Sequence, residues 1–456
     1  MELTFWEIAQ AVQATNDWKK WPNFEVVGVE FDSRKMKLGD LFVPLKGESD
    51  GHKFINGAIE KGAKATFWSW SEDLAPEGFP IIQVEDTLSA MQELAVYYVL
   101  KKAPSVIAIT GSNGKTTTKD MTEAVLSEKF HTYKTQGNYN NDIGLPYTIL
   151  QMPDNTEKLI LEMGMDHAGE ISFLSKLARP EVAAITMIGE AHVENLGSRE
   201  GIAQTKMEIV AGLSLNGLLI VPENEPLLLP ILKNVTQKVE TFGLEKDADY
   251  TAETITLEKE KTIFRVKGLD SLFSIPVPGS YNVTNALIAI AIGRWYGLTE
   301  AEITRGLASF QLTKNRTEWL KSPEGIEILS DVYNANPTAM GLVLESFCQM
   351  PTTGNRVAVL GDMLELGPDE GEMHRSMSAF LNPSEISTVF VYGEVMKELY
   401  LELVGKYSPE NLFYFTKEEK RELIDKLKTT LKANDMVVLK ASNGMGLNQV
   451  VSELTS

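Results

Sequence analysis

Short apolar runs closed by polar turns alternate with stretches of helical periodicity along nearly the whole chain. That alternation predicts α/β architecture. VVGVEFDSR (26–34) and DLFVPLKG (40–47) read as strands running into polar turns, and GAKATFW (62–68) and FPIIQVED (79–86) as two further strands. A helix is predicted from about Leu88 through Lys101 and Lys102, after which Pro104 interrupts the chain and an apolar strand, SVIAIT (105–110), begins. A helical region opening at Asn282 gives way around 311–316 to four more apolar strands: GIEILSDVYN (325–334), RVAVLGD (356–362), STVFVYG (387–393) and DMVVLKAS (435–442). Strands separated by helix-like segments in this way form a doubly wound parallel sheet, whose ligands gather at the strands' carboxyl ends. The expected organisation is three α/β domains, at 1–103, 104–313 and 314–456. The central one is a phosphate-loop ATPase-like parallel sheet and the last a Rossmann-like doubly wound sheet. No fixed-period repeat or low-complexity stretch interrupts this plan.

Composition narrows the partners. The 456 residues carry 43 Lys+Arg against 63 Asp+Glu, a formal charge of −20. Such a field repels polyanions, so nucleic acid and anionic membrane surfaces are poor partners, whereas small anionic substrates can still enter a locally basic pocket. The single Cys348 leaves no disulfide framework and no cysteine-rich zinc site, and its setting, LVLESFCQM, reads as inert core. MELTFWEIAQ has no basic stretch followed by an apolar one. The longest apolar run, Ala286 to Ile292, is far short of the roughly 20 residues of a membrane helix. A cytoplasmic protein is expected, with monomer as the default for so acidic a surface.

The strongest chemical signal is SVIAIT followed by GSNGKTTTKD: a buried strand, a glycine turn, and a helix continuing through MTEAVLSEKF. This geometry turns backbone N–H groups and a helix N-terminus toward one point, where the macrodipole favours an anion. Gly111, Ser112, Asn113 and Gly114 would wrap a triphosphate, Lys115 would reach its β- and γ-phosphates, and Thr116, followed by Thr117, would offer Mg²⁺ a hydroxyl. The spacing is T-G-x-x-G-K-T, with Ile109 where the general phosphate loop has its first glycine. An ATP-type site follows from this, but kinase, motor, switch and ligase remain open.

Further along, KLILEMG (158–164) carries Glu162 at a strand's carboxyl end, placed to hold Mg²⁺ or its water. VAAITMIG (182–189) leads into EAHVENLGS (190–198), which puts His192 on a loop at the same sheet edge. Lys206 lies in an amphipathic helix, GIAQTKMEIVAGL. It reads either as an ordinary exposed lysine or, in a desolvated setting, as a neutral amine able to add CO₂ and form a carbamate.

Taken together, ITGSNGKTTTKD, GNYNNDIGLP, EMGMDHAGEI, GEAHVENLGS and EGIAQTK resemble the Mur ligase family, which builds the peptide stem of bacterial cell-wall precursors by ATP-driven amide formation. FDSR (31–34), GDLFVPLKG and DGHKF resemble that family's uridine-nucleotide-binding first domain, while YNVTNALIAI, NRTEW, DVYNANPTAM and LGDMLELG extend the likeness through the last domain. NYNNDIGLP and DVYNANP are most similar to the member that adds D-alanyl-D-alanine to UDP-N-acetylmuramoyl-tripeptide; the D-N-P-R string of the diamino-acid-adding relative is absent.

The resemblance implies roles residue by residue. Thr116, Glu162, His192 and Lys206 (as carbamate) would organise metal, with Lys115, His192 and Lys206 in the catalytic centre. Asn282 and Asn285 would lie near the adenine, and Arg316 and Asp331 would reach ATP only when domains close. Asp32, Ser33 and Arg34 would hold the UDP-sugar, and Asn138, Asn141, Tyr333, Asn334 and Asn336 the peptide substrates. Two positions depart from the family: Tyr281 stands where histidine is usual, and Asn443, in KASN, where arginine would supply a bidentate anion donor.

The implied chemistry is attack of a peptide carboxylate on the γ-phosphoryl group, then attack of the D-Ala-D-Ala amine on the acyl phosphate. The base that takes the amine's proton is open between His192, Asp166 and His167, and Asp166 reads equally as the cap of a helix beginning near Ala168. Rivals are a diamino-acid-adding relative, a folate polyglutamylase and a phosphate-loop switch. The last would want an N-K-x-D motif, which is absent.

Overall fold

The computed structural model describes residues 1–245, 247–313 and 317–456. Its strands form three main sheets. The first is four-stranded and parallel, in the order Gly28–Glu30, Asp40–Phe42, Ala65–Trp68, Ile81–Gln83, with a small antiparallel ribbon, Leu3–Thr4 against Glu25–Val26, beside it. The helix Thr87–Lys102 follows, capped by Asp86 and closed by Ala103 in the left-handed conformation. Ser105 then opens the phosphate-loop strand.

The central sheet has nine strands and is not wholly parallel. Seven strands from Thr132–Lys134 to Tyr250–Leu257 run parallel, with Ser105–Thr110 between Lys158–Glu162 and Val182–Ile185. Thr262–Val266 and Leu272–Ile275 then add an antiparallel edge. The expected parallel sheet is present, and the antiparallel edge extends it beyond Tyr250–Leu257, YTAETITL, which mixes polar and apolar residues and so lacks the continuous apolar run that marks a strand covered on both faces.

The last sheet orders its strands Glu318–Lys321, Glu327–Asp331, Met436–Lys440, Arg356–Gly361, Thr388–Tyr392, Leu412–Phe415, all parallel except the first pair. The four anticipated strands are present; the two extra ones lie at the edges. Chain order reverses around Met436–Lys440, so Asp331, Lys440 and Gly361 end together at the switch point, where doubly wound sheets bind ligands.

Period-two burial assigns each central strand to two cores. Val106 and Ala108 face a core shared with Leu159, Leu161 and residues of the first domain such as Phe5, Leu94 and Tyr98, whereas Ile107 and Ile109 face the helices Lys115–Ser127 and Ser280–Trp295. The last sheet has its own two faces, with Ala358 and Leu360 on one and Val357 and Val359 on the other. Cys348 is only half-buried, against the first of these, and burial pushes its thiol up to about 11, consistent with an inert side chain. Among the described residues no helix is long and apolar enough to cross a membrane.

The helix Ser280–Trp295 positions Asn282 and Asn285, and it is buried on nearly every face. Leu287, fully buried within it, therefore reports on that scaffold. Leu287→Ala should cost about 2–5 kcal/mol in chemical denaturation through the cavity it leaves.

Candidate functional site

The strand Ser105–Thr110 ends in a loop that needs glycine twice. Gly111 has φ +147, and a Cβ there would overlap the Thr186 hydroxyl; Gly114 has φ +80, and a Cβ there would meet Asn285 Oδ1. The loop is tied to the neighbouring strand end: Thr186 donates to the Asn113 carbonyl, and the Ser112 and Gly189 backbones exchange hydrogen bonds with Met187 and the Ser112 hydroxyl. The helix Lys115–Ser127 starts immediately after, aiming its free N–H groups back over the loop. Lys115 Nζ donates to Gly111 O at 2.7 Å, lying across the loop where phosphate oxygens would replace that carbonyl.

Glu162 closes the next strand, and the pairing puts it beside Ile109. It is buried, and it accepts from the Thr116 hydroxyl at 3.0 Å and from Asn140 Nδ2 at 2.9 Å, with Lys119 Nζ 4.0 Å away. Thr116 and Glu162 are hard oxygen donors held together at the foot of the loop. That set suits Mg²⁺, which takes one or two protein oxygens and completes its shell with phosphate and water. Among the described residues no three His, Cys, Asp or Glu side chains converge into a self-sufficient metal cage.

The expected metal set is split in this structure. His192 sits in the left-handed region (φ +63) at the start of Val193–Leu196, with Nδ1 2.8 Å from Glu365 and 3.2 Å from Asp166, and Glu162 is beyond ion-pair distance. Neither carboxylate is aligned for a hydrogen bond to that nitrogen. Burial, then the Lys115 charge, hold the imidazole's pKa below its usual value against the opposing pull of Glu365 and Asp166. Asp166 is thereby corrected as a cap: the helix begins at Glu170 behind Gly169 without a side-chain cap, and Asp166 faces His192 instead. His167 is exposed and meets Glu170 at 3.6 Å.

Lys206 is not an exposed helix lysine. It is fully buried, and burial first, then Lys115, lower its pKa well below the ordinary ammonium value. Among the described residues no carboxylate lies within ion-pair distance to oppose that shift. A buried neutral amine is the state that can react with CO₂.

These groups line one cavity of about 1060 Å³ in which three domains meet. Ser112 to Thr116, Asn138, Asn140, Asn141, Glu162, His192 and Lys206 come from the central domain, Gln92 from the first, and Tyr333, Asn334, Glu365 and Asn443 from the last. Asn141 also accepts from the Ile143 and Gly144 N–H groups, which fixes the entry of the helix Gly144–Gln151.

A second cavity, of about 340 Å³, opens behind the loop between Asn113, Gly114, Thr117, Asn282, Asn285 and the last domain's Asp331. Asn285 bridges from Asn282 Oδ1 (3.2 Å) to the Thr118 hydroxyl (3.2 Å). Phe242 and Tyr281 give this cavity apolar walls of the kind a nucleobase fills. Tyr281 donates to Thr317 at 3.2 Å, and burial with Asp331 nearby raises its pKa, so it stays a neutral phenol.

Asp331 differs from expectation in already lining this cavity. The last domain is held on the central one by contacts that sequence reading missed: Glu190 accepts from the Thr338 N–H (3.1 Å) and hydroxyl (2.8 Å), and the Glu194 N–H donates to Glu365 O at 3.3 Å. Asp331 is itself paired with buried Lys440 at 2.6 Å. Asn336 is fully buried, caps the helix Pro337–Gln349 and lines neither cavity; Arg316 lies outside the described residues. Asp32, Ser33 and Arg34 sit on the loop after Gly28–Glu30, away from both cavities. There Arg34 grips Asp32 at 2.8 Å and holds its carboxyl near 2. Asn140, Glu365 and Lys440 each lie in a string already noted, but their partners are distant in sequence.

Three family descriptions match the chain: the Mur ligase family catalytic domain at residues 25–98, the Mur ligase middle domain at 109–293, and the Mur ligase glutamate ligase domain at 315–443. The chain is 41% identical over 455 residues to a UDP-N-acetylmuramoyl-tripeptide–D-alanyl-D-alanine ligase of Bacillus subtilis, covering 100% of this chain and 98% of that one. It is similar in fold to a crystal structure of MurF from Acinetobacter baumannii (TM-score 0.89, 28% identity, 100% and 99% of the two chains). It is likewise similar to MurF ligase from Thermotoga maritima in complex with ADP (TM-score 0.83, 28% identity, 97% and 98%).

The Asp331–Lys440 pair yields a test. Lys440→Met strands a buried carboxylate and should cost about 3–5 kcal/mol of stability. ATP affinity, read by equilibrium binding, should fall with it, because Asp331 lines the second cavity.

Proposed function

The chain belongs to the Mur ligase family, and from that premise we infer an ATP-dependent ligase that joins D-alanyl-D-alanine to UDP-N-acetylmuramoyl-tripeptide in peptidoglycan precursor synthesis. The observation that carries this reading is the meeting of the phosphate loop, a buried lysine whose pKa burial lowers, and side chains of three domains in one cavity. A kinase or switch needs a phosphate loop; only a reaction that gathers several substrates needs the rest.

A carboxylate oxygen of the tripeptide attacks the γ-phosphorus and ADP leaves, giving an acyl phosphate. The amine of D-Ala-D-Ala then attacks the acyl carbon, the nitrogen loses a proton, and inorganic phosphate departs. The first step brings anion to anion, so the groups that matter are donors preorganised around the transferring phosphoryl: Lys115, the loop N–H groups and the N-terminus of Lys115–Ser127. Bound at Thr116 and Glu162, Mg²⁺ would supply further charge neutralisation on the phosphates.

Lys206 is proposed to act as a carbamate, which would turn a buried amine into an oxygen ligand for a second Mg²⁺. Its depressed pKa and the lack of a neighbouring carboxylate support that assignment. His192, neutral by burial, has a lone pair to receive the amine's proton, and Asp166 and Glu365 beside it would stabilise the imidazolium formed. Asn282 and Asn285, which line the apolar-walled second cavity, would hold the adenine, and the exposed Asp32–Arg34 loop would hold the uridine nucleotide.

Phosphate release measured with Mg-ATP and UDP-MurNAc-tripeptide should depend on D-Ala-D-Ala. Release driven instead by a single amino acid such as lysine, diaminopimelate or glutamate would assign the chain to a relative's reaction. Lys206→Ala should reduce kcat by about 10²-fold or more, with partial rescue by short carboxylates. An unmodified Lys206 in the mass spectrum of the active enzyme would overturn the carbamate.

A further inference from the structure

The ligase reading leaves one substrate question that the cavity itself addresses: the chemistry of the tripeptide's third residue. The activated carboxyl group belongs to that residue's α-carbon, so its side chain is carried into the same cavity. A four-carbon stem puts its terminal amine only roughly 6 Å from that α-carbon. The tip therefore ends among the walls around the reacting centre. Two ends are chemically distinct: a lone ammonium, as in lysine, and an ammonium beside a carboxylate, as in diaminopimelate.

Beyond the phosphate loop those walls are acidic. Asp166 and Glu170 enter from the segment after Glu162, and Glu365 enters from the last domain, all lining the cavity. The side chains of Asp166, Glu170 and Glu365 keep 65%, 46% and 55% of their exposure, so they present charge to whatever occupies it. The groups facing them offset little. His192 lies against Glu365 and Asp166 without an aligned hydrogen bond to either, and His167 touches Glu170 only at 3.6 Å from an exposed position. Lys115 is committed to the loop and Lys206 is buried in the wall. No arginine is among the described lining residues, and Asn443 stands where a guanidinium would have offered a fork to a carboxylate.

We propose that this enzyme selects a tripeptide whose third residue ends in a lone ammonium group, and that Asp166, Glu170 and Glu365 disfavour the diaminopimelate type by repelling its second carboxylate. Discrimination of this kind works as much by rejecting the wrong substrate as by holding the right one.

The test compares kcat/KM for UDP-MurNAc-tripeptides ending in lysine and in meso-diaminopimelate, with ATP and D-Ala-D-Ala saturating. The lysine peptide should be preferred about tenfold or more, mainly through KM. Glu170→Gln keeps an oxygen for the Asp166 and His167 N–H groups (2.6 and 3.1 Å) while removing the charge. It should narrow the preference about threefold, and Glu170→Lys should narrow it further. Glu365→Gln supplies an independent variant should either of these fail to fold. Equal use of both peptides, or a preference for diaminopimelate, overturns the proposal while leaving the ligase reading intact. A lysine preference that the Glu170 and Glu365 variants leave unchanged also overturns it. Turnover of neither peptide with D-Ala-D-Ala would instead remove the ligase reading.

Discussion

The in-register parallel pairing of three strands is the constraint on which the site rests. Ile109 lies opposite both Glu162 and Ala184, so the strands Ser105–Thr110, Lys158–Glu162 and Val182–Ile185 end at one level. The phosphate loop, the Glu162 carboxylate and the segment leading to His192 are delivered to one edge by that alignment alone. Slipping Lys158–Glu162 by a single residue would exchange its two faces. Glu162 would then lose the Thr116 hydroxyl, and Leu159 and Leu161 would leave the core they share with the first domain. Apolar burial thus sets the position of a polar group to within a hydrogen-bond length.

The electrostatics are local exceptions to a global sign. A charge of −20 surrounds a cavity that must admit a nucleotide and a peptide carboxylate. Lys115, the loop N–H groups and a helix N-terminus reverse the field over a few ångströms, and low local dielectric makes these few donors count. Lys206 shows the complementary device: removing water from a lysine lowers its pKa well below the ordinary ammonium value. The acidic envelope and the phosphate site therefore do not conflict, because they act over different distances.

What could be read from residue order was whatever is encoded locally. The phosphate loop, the strand carrying Glu162 and the four apolar strands of the last sheet each announce themselves within a few neighbouring residues. Tyr250–Leu257 and its antiparallel partners did not, since half-exposed strands mix polar and apolar residues much as loops do. The pairings Lys440 with Asp331, Glu190 with Thr338 and Glu365 with His192 join segments about 110 to 170 residues apart, and only the finished fold brings them together. Lys206 was ambiguous for a related reason: amphipathic spacing gives a side chain's direction along its helix, whereas its burial depends on what the rest of the chain lays over it.

The first domain and one face of the central sheet are sealed by a continuous apolar core running from Phe5 and Tyr98 to Leu159 and Leu213, whereas the last sheet keeps two cores of its own. Mechanically the molecule is therefore two bodies rather than three. The last domain joins the nucleotide-loop body through Val193 and Tyr281, which pack against its core, and through polar ties such as Glu190 to Thr338. Parting the two bodies would break those contacts and leave the strand pairing of every sheet intact. That boundary is also the one both cavities open onto, so widening it would free ADP, phosphate and product together.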